Sequence, residues 1–141
     1  AILTDPIFSQ RASPVSFAGP KRFTQPAIQI EDLPQIDVVV ISHNHYDHLD
    51  KDTVLAIGDK THWCVPLGLK AWFNDLGVTQ VTEFDWWTQK EINGIIVQAT
   101  PSQHWSARGI FDRFDTLWAS WSLEIGDFGK GEERGGGLVG N

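Results

Sequence analysis

A chain of 141 residues, 41% hydrophobic and 21% charged, has the size and composition of one globular domain with its own core. No apolar run approaches the roughly 20 residues of a membrane span and no signal-peptide pattern opens the chain, so a cytoplasmic location is expected, with peripheral contact at the inner membrane surface left open. The net charge of −7, with its signs interspersed, excludes the basic footprint of a nucleic-acid partner, and the single Cys64 excludes an internal disulfide.

In chain order, Ala1-Ile2-Leu3-Thr4-Asp5-Pro6 reads as a strand end running into a turn, and residues 5–24, with Pro6, Pro14, Gly19 and Pro20, as an irregular surface segment. Residues 36–41, Ile-Asp-Val-Val-Val-Ile, form a β-branched run bounded by Pro34, the pattern of a buried strand. Asp50 is placed to cap a helix over 51–57 that Gly58 ends. A strand over 62–65 follows, holding Cys64 as a small buried thiol and His62 as a structural side chain. Next come a helix over 68–76 that stops at Gly77 and a strand over 78–84. Two further strands, 91–99 and 116–125, flank a polar loop over 100–115. Helices and strands alternate as far as residue 84 and strands dominate afterwards, which is the order of an α/β layered sandwich with a mixed sheet. Six of the twelve residues 126–137 are Gly, so the ordered domain is expected to cover 1–125 and to be followed by a Gly-rich, disordered or aberrant tail over 126–141.

Chemistry concentrates directly after the 36–41 strand, in Ser42-His43-Asn44-His45-Tyr46-Asp47-His48. Neutral imidazole binds borderline-soft metals such as zinc, and a carboxylate adds negative charge to the same site. In an extended turn His43 and His45 point to one side, while Asp47 and His48 diverge from them, so the turn can serve two neighbouring ions. Neither pair fills a coordination sphere, and His104, just past the 91–99 strand, is the strongest outside donor. Two metals about 3.5–4 Å apart hold a bridging water, lower its pKa to about 7 and stabilise an oxyanion, which points to hydrolysis of an ester, lactone, amide or phosphodiester.

The His-x-His-x-Asp-His pattern after a buried strand resembles the metallo-β-lactamase superfamily. More narrowly, the chain resembles the branch of N-acylphosphatidylethanolamine-hydrolysing phospholipase D. Carrying that likeness are Asp5-Pro6-Ile7-Phe8-Ser9, Arg11-Ala12-Ser13-Pro14, Phe17-Ala18-Gly19-Pro20-Lys21-Arg22, Val65-Pro66-Leu67-Gly68, Thr100-Pro101-Ser102-Gln103-His104-Trp105-Ser106 and Leu117-Trp118-Ala119-Ser120-Trp121. The resemblance implies an αββα metallo-β-lactamase sandwich with mixed sheets and two Zn2+ ions. His43, His45 and His104 would hold the first ion and Asp47 and His48 the second. The implied reaction is hydroxide attack on the phosphodiester of N-acylphosphatidylethanolamine, with Asp47 as the catalytic residue that helps position the nucleophile. Phosphatidic acid and an N-acylethanolamine would be released, and Lys21 and Arg22 would meet the lipid phosphate.

The likeness departs from the family where a Gly-Asp-Thr-Gly segment, whose Asp bridges the metals, and a later His are expected. Gly126-Asp127-Phe128-Gly129 is read as a hairpin turn in preference to a bridging ligand. The expectation is therefore a partial domain, truncated at both ends and inactive or impaired as a hydrolase in this form. Two other readings stand beside the lipid phosphodiesterase: a sugar-phosphate lactonase of the same superfamily, and a non-catalytic metal-binding remnant. Seven Trp residues, read mainly as core, include the pair Trp86-Trp87, which is the first choice for peripheral membrane contact. The sequence leaves the oligomeric state open.

Overall fold

A computed structural model describes residues 1–109 and 115–126. Strands β1 (Ile2–Thr4), β2 (Val38–Val40), β3 (His62–Pro66) and β4 (Val81–Phe84) form a parallel sheet in sequential order. Helices α1 (Lys51–Ile57) and α2 (Lys70–Asp75) make the crossovers that join β2 to β3 and β3 to β4. Strands β5 (Gln89–Ile92), β6 (Ile95–Thr100) and β7 (Ser120–Ile125) form a separate antiparallel sheet. Both strand directions of the expected α/β fold are thus present, segregated between two sheets.

Alternation along the central strands divides the core. Val39, Trp63 and Val65 turn towards Leu49, Val54, Leu69 and Phe73 on the helical side. Val38, Val40 and Cys64, on the other face, meet Phe84, Ile95, Val97, Ala99 and Ala119 between the sheets. Parallel strands covered on both faces read as continuous apolar runs, and Val38-Val39-Val40 is one. Cys64 is fully buried there, and burial pushes its thiol up to about 12, so it is an inert core residue. His62 is the structural residue expected: its Nε2 meets Thr82 Oγ1 at 2.8 Å, and burial, then Lys70, lowers its pKa.

Several boundaries move for identifiable reasons. Helix α1 has the bounds expected, but the Asp50 carboxylate is not its cap; it accepts instead from Ser9 N–H at 3.0 Å, from Ser9 Oγ at 2.8 Å and from Thr53 Oγ1. Helix α2 begins at Lys70 instead of 68 because Gly68 has φ of +94°; the Glu83 carboxylate, from β4, accepts from the Gly68 and Lys70 N–H groups at 2.9 and 2.7 Å. Strand β4 starts at Val81 instead of 78, since the Asp59 carboxylate takes the N–H groups of Thr79 and Gln80 at 2.7 and 2.9 Å. Strand β7 starts at Ser120 instead of 116 because Leu117 and Ala119 N–H donate elsewhere, to Leu67 O and Ser42 O.

The single strand expected over 91–99 is a hairpin. Asn93 and Gly94, with φ of +52° and +75°, turn the chain between β5 and β6. Two positive φ angles in a two-residue connection match the right-handed twist of the flanking strands. Open space surrounds a Cβ built on Gly94, so Gly94→Ala should cost only the left-handed backbone penalty, about 1 kcal/mol, read as a lower urea midpoint.

Candidate metal centre

The register Thr4↔Val40 between β1 and β2 brings Asp5 beside Ser42, at the carboxyl ends of both strands. Asp5 has φ of +42°, and its N–H donates to Val40 O. Its carboxylate accepts from Ser42 N–H and Ser42 Oγ, each at 2.6 Å, and from His48 Nδ1 at 2.8 Å. Residues 45–49 do not form the extended turn expected. The N–H groups of His48 and Leu49 both return to His45 O, closing a helical turn that folds Asp47 and His48 back towards His43.

Proton positions follow from this network. Ser42 Oγ–H has one proton and donates it to Asp5, so Ser42 Oγ accepts from His43 Nδ1–H, 2.7 Å away. The His43 Nε2 lone pair is then free, and it points to where His45 Nδ1 and His104 Nε2 converge, at 2.9 and 2.7 Å. By the same logic His48 donates from Nδ1 to Asp5 and presents Nε2 towards Asp47 Oδ2, 3.7 Å away. Two groups of donor atoms result, His43–His45–His104 and His43–Asp47–His48, each within 4.8 Å, so His43 belongs to both.

Electrostatics keep the buried ring neutral. His43 is 3% exposed; burial, followed by its neighbours His48, His104 and His45, lowers its pKa to about 3, against which Asp47 acts weakly. Burial and His104 also lower the pKa of His45. Neutral imidazole is the metal-binding form, and His43 Nε2, which carries no bonding proton, lies 2.9 Å from His45 Nδ1 and 2.7 Å from His104 Nε2, an arrangement that fits a shared cation. His45 Nε2 is buried without a partner, which leaves Nδ1 as that ring's inward donor.

The depressed His43 pKa gives a pH prediction for the metal-stripped chain. Between 6.5 and about 3 the unfolded state binds a proton at His43 that the folded state refuses. Stability should therefore be complete above pH 6.5 and fall as pH drops towards 3, by on the order of a few kcal/mol, read from urea midpoints across that range.

Arg108 supports the turn from the loop after β6: its Nη1 donates to Asn44 O and Leu49 O at 3.0 and 2.8 Å, and its guanidinium lies 4.3 Å from the Tyr46 ring centroid and 4.9 Å from that of Trp72. Trp105 packs edge-on against His45 at 4.4 Å. Arg108 and Asp5 are the site residues the sequence reading missed. For Asp5 a signal existed, an Asp-Pro pair closing a short apolar segment. A cavity of about 610 Å³ opens beside the turn, lined among others by Ser9, Arg11, Tyr46, Asp50 and Trp72. Lys21 and Arg22 lie in neither donor group and do not line this cavity. Lys21 is exposed, and Arg22 reaches inward, with Nη2 donating to Ile7 O at 2.7 Å. Asp127 lies outside the described residues.

These features define a metal-binding His cluster on an α/β sandwich, and sequence comparison agrees. The sequence profile described as the beta-lactamase superfamily domain matches residues 1–138, and the chain belongs to that superfamily. Within it the chain falls in the N-acylphosphatidylethanolamine-hydrolysing phospholipase D-like branch. It is 43% identical over 133 residues to N-acyl-phosphatidylethanolamine-hydrolyzing phospholipase D 1 of Caenorhabditis elegans, covering 86% of this chain and 37% of that protein. It is 39% identical over 128 residues to the mitochondrial N-acyl-phosphatidylethanolamine-hydrolyzing phospholipase D of Saccharomyces cerevisiae, covering 86% and 27%. The chain thus spans about a third of the length of these relatives. Among solved structures it superposes on the diiron β-hydroxylase CmlA of Streptomyces venezuelae with a TM-score of 0.60 and 26% identity, over 89% of this chain and 24% of that one.

Proposed function

We propose that this chain is the metal-binding part of a zinc-dependent phosphodiesterase acting on N-acylphosphatidylethanolamine-type phospholipids. The observation that carries the reading is the convergence of His43 Nε2, His45 Nδ1 and His104 Nε2, with Ser42 turning the His43 lone pair inward. His43, His45 and His104 would hold one ion; Asp47 and His48, with His43 between the groups, would hold the second. Bound divalent cations supply Lewis-acid charge and a water activated at neutral pH. Around them, Asp5 holds the His48 Nδ1 proton and Ser42 holds that of His43, so neither ring can rotate or exchange tautomers. Asp47, with 67% of its side chain exposed, offers its carboxylate on the open side, where it orients the attacking water by accepting a hydrogen bond. Lys21, on the surface, is available to a lipid phosphate, whereas Arg22 already serves the Ile7 carbonyl.

Elemental analysis of the purified 141-residue chain, paired with an assay for N-acylethanolamine release from detergent-dispersed N-acylphosphatidylethanolamine, tests the reading. About two zinc ions per chain together with release supports it. Iron in their place would correct the metal alone, since imidazole and carboxylate donors suit both. Retained metal without hydrolysis reduces the assignment to a metal-binding protein, and a chain that holds no metal overturns it.

A further inference from the structure

The charges of this chain are less evenly interspersed than its composition implies. Of its 11 basic and 18 acidic residues, Arg11, Lys21 and Arg22, and not a single Asp or Glu, fall between Asp5 and Glu31. This basic island within a chain of net charge −7 coincides with the most exposed aromatic residues among those described: Phe17 is 82% exposed and Phe23 fully so, with Val15 also on the surface.

The segment is built, not slack. Arg11 and Lys21 form an antiparallel bridge; Ala12 N–H donates to Pro20 O, Arg22 N–H to Gln10 O, and Arg11 Nη1 to Gly19 O at 2.7 Å. Gly19 has φ of +95°, and a Cβ there would sit 2.7 Å from Ser13 Cβ, so the neck closes only with glycine. Below the neck, Phe8 and Ser9 N–H groups are fastened to Thr53 and Asp50, beside the metal turn. Phe17 is thus held out at the tip of a pinned loop, Phe23 lies just past its base, and Arg11 and Lys21 pair across the neck.

We infer that the loop over 12–20, with Phe23, docks this protein onto an anionic phospholipid bilayer. Phenyl rings displayed singly have no wall around them to form a protein-binding pocket, and the stable protein interfaces need about 800 Å² a side. A bilayer accepts isolated rings without shape complementarity and adds attraction for Lys and Arg that screens with salt. The rest of the chain carries all 18 acidic residues, which the same surface repels, so this side is favoured to face it. The inference deepens the phospholipid reading of the His cluster and rests on it for its biological sense: the loop's anchorage to Asp50 would set the cavity beside Tyr46 near the headgroups.

Co-sedimentation of the whole chain with vesicles of equal parts phosphatidylcholine and phosphatidylglycerol tests it, with pure phosphatidylcholine for comparison. Wild type should partition to the anionic vesicles, less so as salt rises. Phe17→Ser and Phe23→Ser should each lower partitioning about tenfold, with unchanged thermal midpoints because neither ring is packed. Wild type that stays in the supernatant overturns the proposal. So does a Phe17→Ser, Phe23→Ser double variant that binds like wild type, including the case in which only Trp87→Ala, at a 67% exposed side chain, loses binding. Trp86 is the weaker competitor, since its Nε1 is held by Trp118 O and its ring packs on the inter-sheet core. Turnover of detergent-dispersed substrate is read separately. Vesicle binding without turnover sinks the hydrolase reading alone, and turnover without vesicle binding sinks the docking loop alone.

Discussion

His43→Ala should strip metal from both donor groups, while Asp47→Ala and His45→Ala should each weaken one. His43 is the only residue common to the two sets. In the proposed centre its loss removes a direct ligand, so the fall in affinity should exceed the ~10–100-fold that follows loss of an outer partner. Zinc titration against a competing chelator gives the ratio, and hydrolysis, if the phosphodiesterase reading holds, should fall with it. Equal losses for all three variants would show that the shared position of His43 has no consequence. The same substitution carries a second expectation. Because His43 is the ring whose pKa is held down near 3, the alanine variant should lose most of the acid-side decline in stability between pH 6.5 and 3.

Asp5→Asn should leave the backbone in place and reverse two protons. Asn tolerates the left-handed φ of +42° at this position, so the change isolates the loss of charge. A carboxylate only accepts, and it therefore draws protons from Ser42 Oγ and His48 Nδ1. An amide nitrogen in its place donates. His48 would then accept at Nδ1 and carry its proton on Nε2. Ser42, accepting from the amide, would turn its own proton to His43 Nδ1 and drive that ring's proton to Nε2 as well. Both ligand nitrogens would be blocked by one substitution more than 35 residues away in sequence. Metal affinity should fall by about 10–100-fold with strand and helix content unchanged. Histidine nitrogen chemical shifts provide an independent readout, since they report the tautomer directly. Unchanged shifts and affinity would remove Asp5 from the site.

Local chemistry made much of this protein legible in its sequence. The candidate ligands His43, His45, Asp47 and His48 lie within six positions, so their proximity needed no knowledge of the fold. The Val38–Val40 strand and the Lys51–Ile57 helix follow from apolar periodicity and a terminal Gly, terms that act over a few residues. Asn93-Gly94 is also a local signal, but the Ile-rich run on both sides of it reads as one strand unless the left-handed pair is given priority. Even the placement of His104 beyond a strand end was readable, though not the 2.7 Å contact with His43, 61 residues away.

Tertiary structure alone decided the rest, because those features depend on strand register and on carboxylates acting across long loops. Parallel pairing of β1 with β2 is what makes Asp5 the proton acceptor for His48. Glu83 and Asp59 reset the starts of α2 and β4 by taking backbone N–H groups from distant segments. Stacking of the antiparallel sheet on the parallel one, through Val38, Cys64, Val97 and Ala99, carries His104 across to the turn. Residue spacing specifies which side chains are competent to bind metal; hydrogen bonds closed across dozens of residues determine which of their nitrogens face inward.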